Sequence, residues 1–338
     1  MGPVVVPVQD IEWISVEESS APGQVRRAVM RLAERMGFSE HRVGEVGIAA
    51  SELATNLHRH AKQGSVVIRV RRENNDAAVE LVVIDAGPGM SDLAAHARDG
   101  TSSAGTLGIG LGAAMRLATW FEGHSTPGRG TVMLATFWRG EAPCPRPVVG
   151  ALTRPMAGES VCGDAYAQRS EGAITSLLLA DGLGHGELAA MASRQAVRTF
   201  SEDAQGLGPA HTLEALHAAL RGTRGAAVAV VRLDLPAQRI TFAGVGNIAV
   251  WIDDGERRRA IMSSPGIVGN NAQKIREVES VLPRGALVVL HSDGLTSKWD
   301  LRAIPGLWAQ DPHVVAGSLM REAGIRHDDA SVVVARAS

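Results

Sequence analysis

The stretch "GTLGIGLGAAMRLA", Gly105–Ala118, decides how the first half of the chain is read. It begins as a lattice of glycines and ends as a helix-forming run. Either the glycines cradle a phosphate, or they let two elements pack closely. Gly108, Gly110 and Ala113 fit G-x-G-x-x-A. That pattern marks a dinucleotide site only with a strand directly before it and an acid about 20 residues after it. Here "RDGTSSA" precedes it, which reads as loop, and the acid is missing at that distance. A P-loop fails as well, because Lys62, Lys274 and Lys298 are the only lysines and no Gly-Lys-Ser/Thr occurs.

Two neighbouring stretches shift the reading toward phosphate. In "SELATNLHRHA", Ser51–Ala61, Glu52 and Asn56 are four apart and share one helix face. That face lies beside the apolar stripe of Val43, Val46, Ala50, Leu53 and Leu57, in a helix capped by Ser39. An earlier helix places Val25, Val29, Leu32 and Met36 at helical spacing and stops at Gly37. "AAVELVVIDAG" reads as a strand running into "DAGPGM", Asp85–Met90. Asp85 can accept a hydrogen bond from an exocyclic amine, while Gly87 and Gly89 let the backbone pass close to a ring. "SVVIRVRR" reads as a second strand, and "FEGHSTPGRGTVMLATFW" as a hairpin with a Pro-Gly turn. Taken singly, Glu52 is a solvated helix acid, Asp85 a turn residue and the glycines packing. Their co-occurrence argues for a nucleotide site.

"ELATN", "DAGPG" and "GTLGIGLG", in this order, resemble the GHKL ATPases, and within them the anti-sigma-factor type of serine kinase, the RsbT-like switch kinases. The resemblance covers roughly the first 140 residues. It implies that Asn56 holds Mg²⁺ against the phosphates of ATP and that Asp85 reads adenine beside Gly87 and Gly89. Gly105, Thr106, Gly108, Gly110 and Gly112 would be the lid and helix start whose amides hold the phosphates, as helix N-termini do without any lysine. Glu52 would be the general base that takes the proton from a protein hydroxyl. His58 and His60 read as a surface or cap pair.

The alternating prolines of "RGEAPCPRPVVG", Arg139–Gly150, favour an extended linker. The expected organisation is a kinase domain at 1–139, a linker at 140–150 and a second domain at 151–338. Strands are expected at "AITSLLLADG", "AAVAVVRLD", "RITFAGVGNIAVWI", "GALVVLHSDG" and "ASVVVARA", and helices at "ELAAMASRQAVRTFSE", "TLEALHAALRG" and "DPHVVAGSLMREAG". Four acidic motifs sit at strand ends: "GESVCGDAYA", "LLLADGLGHGELAA", "VVLHSDGLTS" and "IRHDDASVVVA". One Asp-Gly is ordinary turn chemistry. Four carboxylates gathered without lysine or arginine beside them repel one another unless cations are bound, and oxygen-only ligands suit Mg²⁺ or Mn²⁺ rather than zinc.

These motifs resemble the metal-dependent serine/threonine phosphatases of the 2C type in the SpoIIE branch, over roughly residues 150–338. "GTRGAAVAVVRLD" and "AGVGNIAVWI" further resemble the compact RsbX-like members. The resemblance implies that Asp181 bridges two metals with help from the Gly182 carbonyl, and that Asp164, Asp293 and Asp328 complete the shells. Asp329 competes with Asp328 for that place, and by the resemblance Asp-Asp-x-Ser favours the first. Leu183 stands near where many 2C-type enzymes carry a histidine; His185 comes later, as either helix start or proton donor. Arg154 is a weak candidate for gripping phosphate, and Asn247 reads as a turn residue.

The expected fold is α+β / α/β: an N-terminal GHKL (Bergerat) α/β sandwich, then a 2C-type phosphatase β-sandwich flanked by helices. The expected function is a fused pair of opposing enzymes, an ATP-dependent serine/threonine kinase and a metal-dependent phosphoserine/phosphothreonine phosphatase. By resemblance they act on a STAS-domain partner of the anti-anti-sigma or stressosome kind. The alternative keeps the phosphatase and makes the GHKL half an ATP sensor or partner-binding anti-sigma module. A third reading is a binding module in which neither site turns over.

Composition bounds the partners. The net charge is −2, with both signs scattered, and aromatics are 4% of the chain, so nucleic acid is not expected. The 45% apolar content lets each half bury a core. No signal peptide or apolar run of membrane-spanning length is read, and the only cysteines are Cys144 and Cys162. A soluble, cytoplasmic protein is expected, and self-association is among the assemblies the kinase resemblance allows.

Overall fold

A computed structural model describes residues 4–6, 9–73, 76–93, 95, 110–140, 144, 146–203, 207–272, 275–325 and 327–337. The chain divides into two compact units, residues 8–146 with 303–321, and residues 1–7 with 147–302 and 322–338. The first strand, β1 (Val4–Val6), belongs to the second of these.

Residues 8–146 form one antiparallel sheet with helices packed on one face. Helix α1 (Ala21–Arg35) ends where Gly37 turns to φ +76°. Helix α2 (Glu40–His60) starts on Ser39, whose Oγ accepts the Arg42 N–H at 3.3 Å. Strands β2 (Gln9–Ser15), β3 (Ser65–Glu73), β4 (Asp76–Ile84), β5 (Trp120–Thr126) and β6 (Gly130–Trp138) form an antiparallel sheet in the order β2-β3-β4-β6-β5. The β5–β6 hairpin turns through Pro127 and Gly128, the latter at φ +78°. Helix α3 (Gly110–Leu117) lies against α2. The expected apolar stripes are buried: Val25, Val29 and Leu32 with Val46, Ala50 and Leu53 cover one sheet face. Strand β2 was not expected from the sequence.

The second unit contains two sheets packed against each other. Its further elements are β7 (Val149–Arg154), β8 (Asp164–Glu171), β9 (Ile174–Gly182), α4 (Gly186–Glu202), α5 (Pro209–Ala219), β10 (Ala226–Asp234), β11 (Arg239–Val245), β12 (Ala249–Asp253), β13 (Arg258–Ile261), β14 (Val278–Val281), β15 (Leu287–His291) and β16 (Ala330–Arg336). One sheet runs β1-β8-β9-β10-β11-β14 and the other β13-β12-β15-β16-β7. Ala192, Ala196 and Phe200 of α4 and Leu213 and Leu216 of α5 cover the first sheet. The run expected as one strand over residues 239–252 is two strands in different sheets. It breaks at Gly246, where φ is +104° and a Cβ would lie 2.4 Å from that of Ala227.

The last helix, α6 (Pro312–Ala323), falls largely within residues 303–321, which belong to the first unit. They cover the sheet face that α1 and α2 leave open. A Cβ on Gly317 would lie 2.7 Å from Val132 Cγ1, and His124 Nε2 donates to the Pro305 carbonyl at 2.9 Å. Under this cover lies a row of charge. Arg71 Nε donates to Glu80 Oε1 at 2.8 Å, and Arg69 Nε stands 3.6 Å from Glu80 Oε2. Burial opposes the charge on Glu80, yet His313, Arg69 and Arg71 outweigh it and hold the carboxyl below its ordinary value.

Candidate active sites

In the first unit, α2 presents Glu52 and Asn56, both half-buried, to the start of α3. A Cβ built on Gly110 would stand 3.3 Å from Glu52 Oε2 and 3.4 Å from Asn56 Nδ2. Gly110, the first described residue of α3, therefore brings its backbone directly against the carboxylate and the amide. Gly112 follows, buried in α3. Gly105, Thr106 and Gly108 lie outside the described residues.

Asp85 follows β4 and is 7% exposed. Its Oδ1 accepts the Gly87 N–H at 2.7 Å, and its backbone exchanges hydrogen bonds with Thr131. Burial pushes the Asp85 carboxyl up, and Gly87, Arg321 and Thr131 offset part of this. The glycines here are sterically required. A Cβ on Gly87 would lie 2.8 Å from Asp85 Oδ1 and 3.1 Å from the His60 carbonyl. Gly89 has φ +66°, and its Cβ would fall 2.1 Å from the Thr126 carbonyl. The Asp85 turn thus abuts the C-terminal end of α2, about one turn beyond Asn56 and two beyond Glu52. His58 and His60 are exposed on that end.

In the second unit, Asp164 and Asp181 face each other directly across β8 and β9. Opposed side chains on an antiparallel pair are about 5 Å apart at Cβ. Both carboxyls are pushed far up, first by burial. Asp181 is raised further by Asp164, Asp293 and Asp328. Ser292 Oγ donates to Asp164 Oδ2 at 2.7 Å, and the Ser331 N–H in turn donates to Ser292 Oγ at 3.0 Å. Asp164 Oδ1 is buried and has no hydrogen-bond partner among the described residues. Asp293, just after β15, is raised by burial and then by Asp328.

The two adjacent aspartates differ in their surroundings. Asp329 is 3% exposed, and its two oxygens accept the Met156 and Gly163 N–H groups at 2.8 and 2.9 Å. It ties two loops together. Asp328 accepts the Asp329 N–H at 2.9 Å and repels both Asp181 and Asp293. Gly182 lets α4 approach, since a Cβ there would meet the Ala189 carbonyl at 2.1 Å.

An all-oxygen set, a buried carboxylate oxygen without a donor, and acids that raise one another fit a divalent cation. Among the described residues no three acidic, histidine or cysteine side chains converge into a preformed cage.

Asn247 is a contact rather than only a turn residue: its Nδ2 donates to Asp293 Oδ2 at 2.6 Å. Arg154 reaches the Ile325 carbonyl at 2.7 Å, and His185 Nδ1 pairs with Glu159 Oε1 at 2.8 Å. Ser292 escaped the sequence reading, its only signal being the Ser-Asp string that places it beside Asp293. Asp329, read as a competitor of Asp328 for the metal, instead accepts from two backbone amides. Both cysteines are free thiols, and among the described residues no helix is long and apolar enough to cross a membrane.

Residues 17–136 match the histidine kinase-like ATPase domain, and residues 171–338 match stage II sporulation protein E (SpoIIE). The chain is 31% identical over 113 residues to serine/threonine-protein kinase RsbT of Bacillus subtilis (strain 168), a stretch covering 33% of this chain and 85% of RsbT. It is 25% identical over 187 residues to phosphoserine phosphatase RsbX of the same organism, covering 54% of this chain and 90% of RsbX. A solved structure described as "The bacterial stressosome: a modular system that has been adapted to control secondary messenger signaling" superposes with a TM-score of 0.52 at 31% identity, over 56% of this chain and 98% of that one. The chain therefore belongs, through its first part, to the RsbT-like histidine kinase-like ATPases, and joins that domain to a SpoIIE-type, RsbX-like phosphatase domain.

Proposed function

We propose that the chain is a bifunctional switch: its ATPase unit phosphorylates a serine or threonine on a protein, and its phosphatase unit removes that phosphate. The observation that carries the first activity is Gly110 set over both Glu52 and Asn56. Asn56 would hold Mg²⁺ against the triphosphate, the α3 start would receive the phosphates, and Asp85 would accept from the adenine amine. Glu52 is then the base placed to take the hydroxyl proton of the incoming side chain.

In the phosphatase unit, Asp164, Asp181, Asp293 and Asp328, with the Gly182 carbonyl, would hold Mg²⁺ or Mn²⁺. When bound, such ions supply a water of lowered pKa and charge to offset the phosphoryl oxygens. The protein's own part is orientation: Ser292 fixes Asp164, Asn247 fixes Asp293, and Asp329 locks the loops of Met156 and Gly163. The names of the kinase and phosphatase relatives, and the stressosome assembly of the structural neighbour, support a small STAS-domain protein as the shared substrate.

The test is incubation of purified protein with a STAS-domain protein and labelled ATP, then with Mn²⁺ after ATP is removed. Transfer followed by release is expected. Glu52→Ala should abolish transfer while retaining ATP binding. Transfer by Glu52→Ala at the wild-type rate refutes the kinase assignment, and absence of Mn²⁺-dependent release refutes the phosphatase assignment.

A further inference from the structure

We infer that Arg224 grips the phosphoryl group of the substrate in the phosphatase site. This rests on the phosphatase reading above and adds a residue to it. The acidic site needs a fixed cation of its own, because a phosphoryl dianion entering among four carboxylates meets repulsion that metal ions offset only in part. Neither charged side chain considered from the sequence is available. Arg154 is committed to the Ile325 carbonyl and His185 to Glu159.

Arg224 occupies the right place. Its Nη1 lies 3.0 Å from where a Cβ on Gly184 would stand, so the guanidinium rests on the turn that follows Asp181 and Gly182. The Gly184 carbonyl in turn lies 3.5 Å from the Cβ position of Gly163, the residue preceding Asp164. Arg224 is exposed and makes no hydrogen bond or ion pair among the described residues, although acids surround the site.

The backbone beneath it is fixed to the metal-site turn. The Leu183 N–H donates to the Gly225 carbonyl at 3.0 Å, and Ala226 pairs with Gly182 in the sheet. On the other side, Thr223 Oγ1 donates to the Leu220 carbonyl at 2.7 Å and accepts the Gly225 N–H at 2.9 Å. Gly225, at φ +81°, has the Val268 carbonyl 2.6 Å from its Cβ position, so the loop packs closely on that backbone. An unpaired guanidinium held over the turn that follows Asp181 and Gly182 is placed for a bidentate anion rather than for packing.

The test measures inorganic phosphate binding to the full-length, Mn²⁺-loaded protein by calorimetry, and phosphate inhibition of aryl phosphate hydrolysis. Arg224→Ala should weaken phosphate about tenfold or more, with Mn²⁺ affinity unchanged. Arg224→Lys should recover part of the loss. Arg221→Ala, which removes a neighbouring exposed charge from the same loop, should leave phosphate binding within twofold. The inference is overturned if Arg224→Ala binds phosphate like wild type, or if Arg221→Ala weakens it equally, which would mean a diffuse field. A wild-type protein that binds Mn²⁺ but neither binds phosphate nor hydrolyses the ester overturns the phosphatase reading itself.

Discussion

Withholding divalent cations should make the phosphatase unit more stable at pH 6 than at pH 8. Asp164 and Asp181 oppose each other under burial, and each carboxyl is held far above its ordinary value. They titrate as a pair. In the unfolded chain both are ionised above about pH 5, given ordinary values near 3.9. In the folded chain the pair keeps a proton through neutral pH. The native state then binds more protons than the unfolded state, so stability falls as pH rises toward the folded values. One retained proton is worth about 1.4 kcal/mol per pH unit. For a unit of this size that is about 3–6 °C in Tm per pH unit.

The assay is scanning calorimetry of the full chain in EDTA at pH 6, 7 and 8, repeated in saturating Mn²⁺. The relevant transition is the one that Asp181→Asn moves. In EDTA it should drop with rising pH. Mn²⁺ should raise it and remove the slope, because the cation replaces the shared proton. Asp181→Asn should flatten the slope in EDTA and lose the Mn²⁺ stabilisation. A transition that is flat or rises between pH 6 and pH 8 in EDTA, or a slope that Mn²⁺ leaves intact, refutes the claim that these two acids form the cation site.

Three further outcomes follow from single contacts. Glu80→Gln leaves the buried guanidinium groups of Arg69 and Arg71 without their carboxylate; it should destabilise the ATPase unit by about 3–5 kcal/mol, read by denaturant unfolding. Asp85→Asn removes a charged acceptor from a buried turn and should weaken ATP binding about tenfold or more, read by calorimetry. Asn247→Ala should cost about 10–100-fold in Mn²⁺ affinity while leaving the unfolding midpoint of the cation-free protein nearly unchanged, since it frees only the Asp293 carboxylate to turn.

The helices of the ATPase unit were legible because one periodicity fixes them: Val25, Val29 and Leu32, then Val46, Ala50 and Leu53, each point to the same core. The sequence also carried the acids, since strands running into Asp-Gly announce themselves. What it hid was non-local. "SVVIRVRR" reads only as a strand, yet its Arg69 and Arg71 are 1% and 5% exposed because residues 303–321 cover that face. No local pattern in residues 65–72 encodes a cover some 240 positions away. Likewise, nothing in residues 239–252 says that the run changes sheets at Gly246, because both pieces have the same strand propensity. That change of sheet carries Asn247 to Asp293, so misreading the strand and missing the contact were one error.

The two sites also differ in what can fill them. At the ATPase site the proposed cation ligand from the protein is the single neutral oxygen of Asn56, which holds Mg²⁺ only when triphosphate oxygens complete the shell. At the phosphatase site the protein offers carboxylates that destabilise one another until a cation arrives. Occupancy of the first site therefore follows ATP, and occupancy of the second follows free Mg²⁺ or Mn²⁺. One chain carries both, so their ratio is fixed at synthesis and expression cannot set the balance of opposing activities. Under the proposed function, ATP supply sets the forward rate, while the reverse rate runs near constant wherever free cation saturates the acids. The partner's phosphorylation level then reports ATP directly, and lowering ATP at constant Mn²⁺ should dephosphorylate it without any change in the amount of this protein.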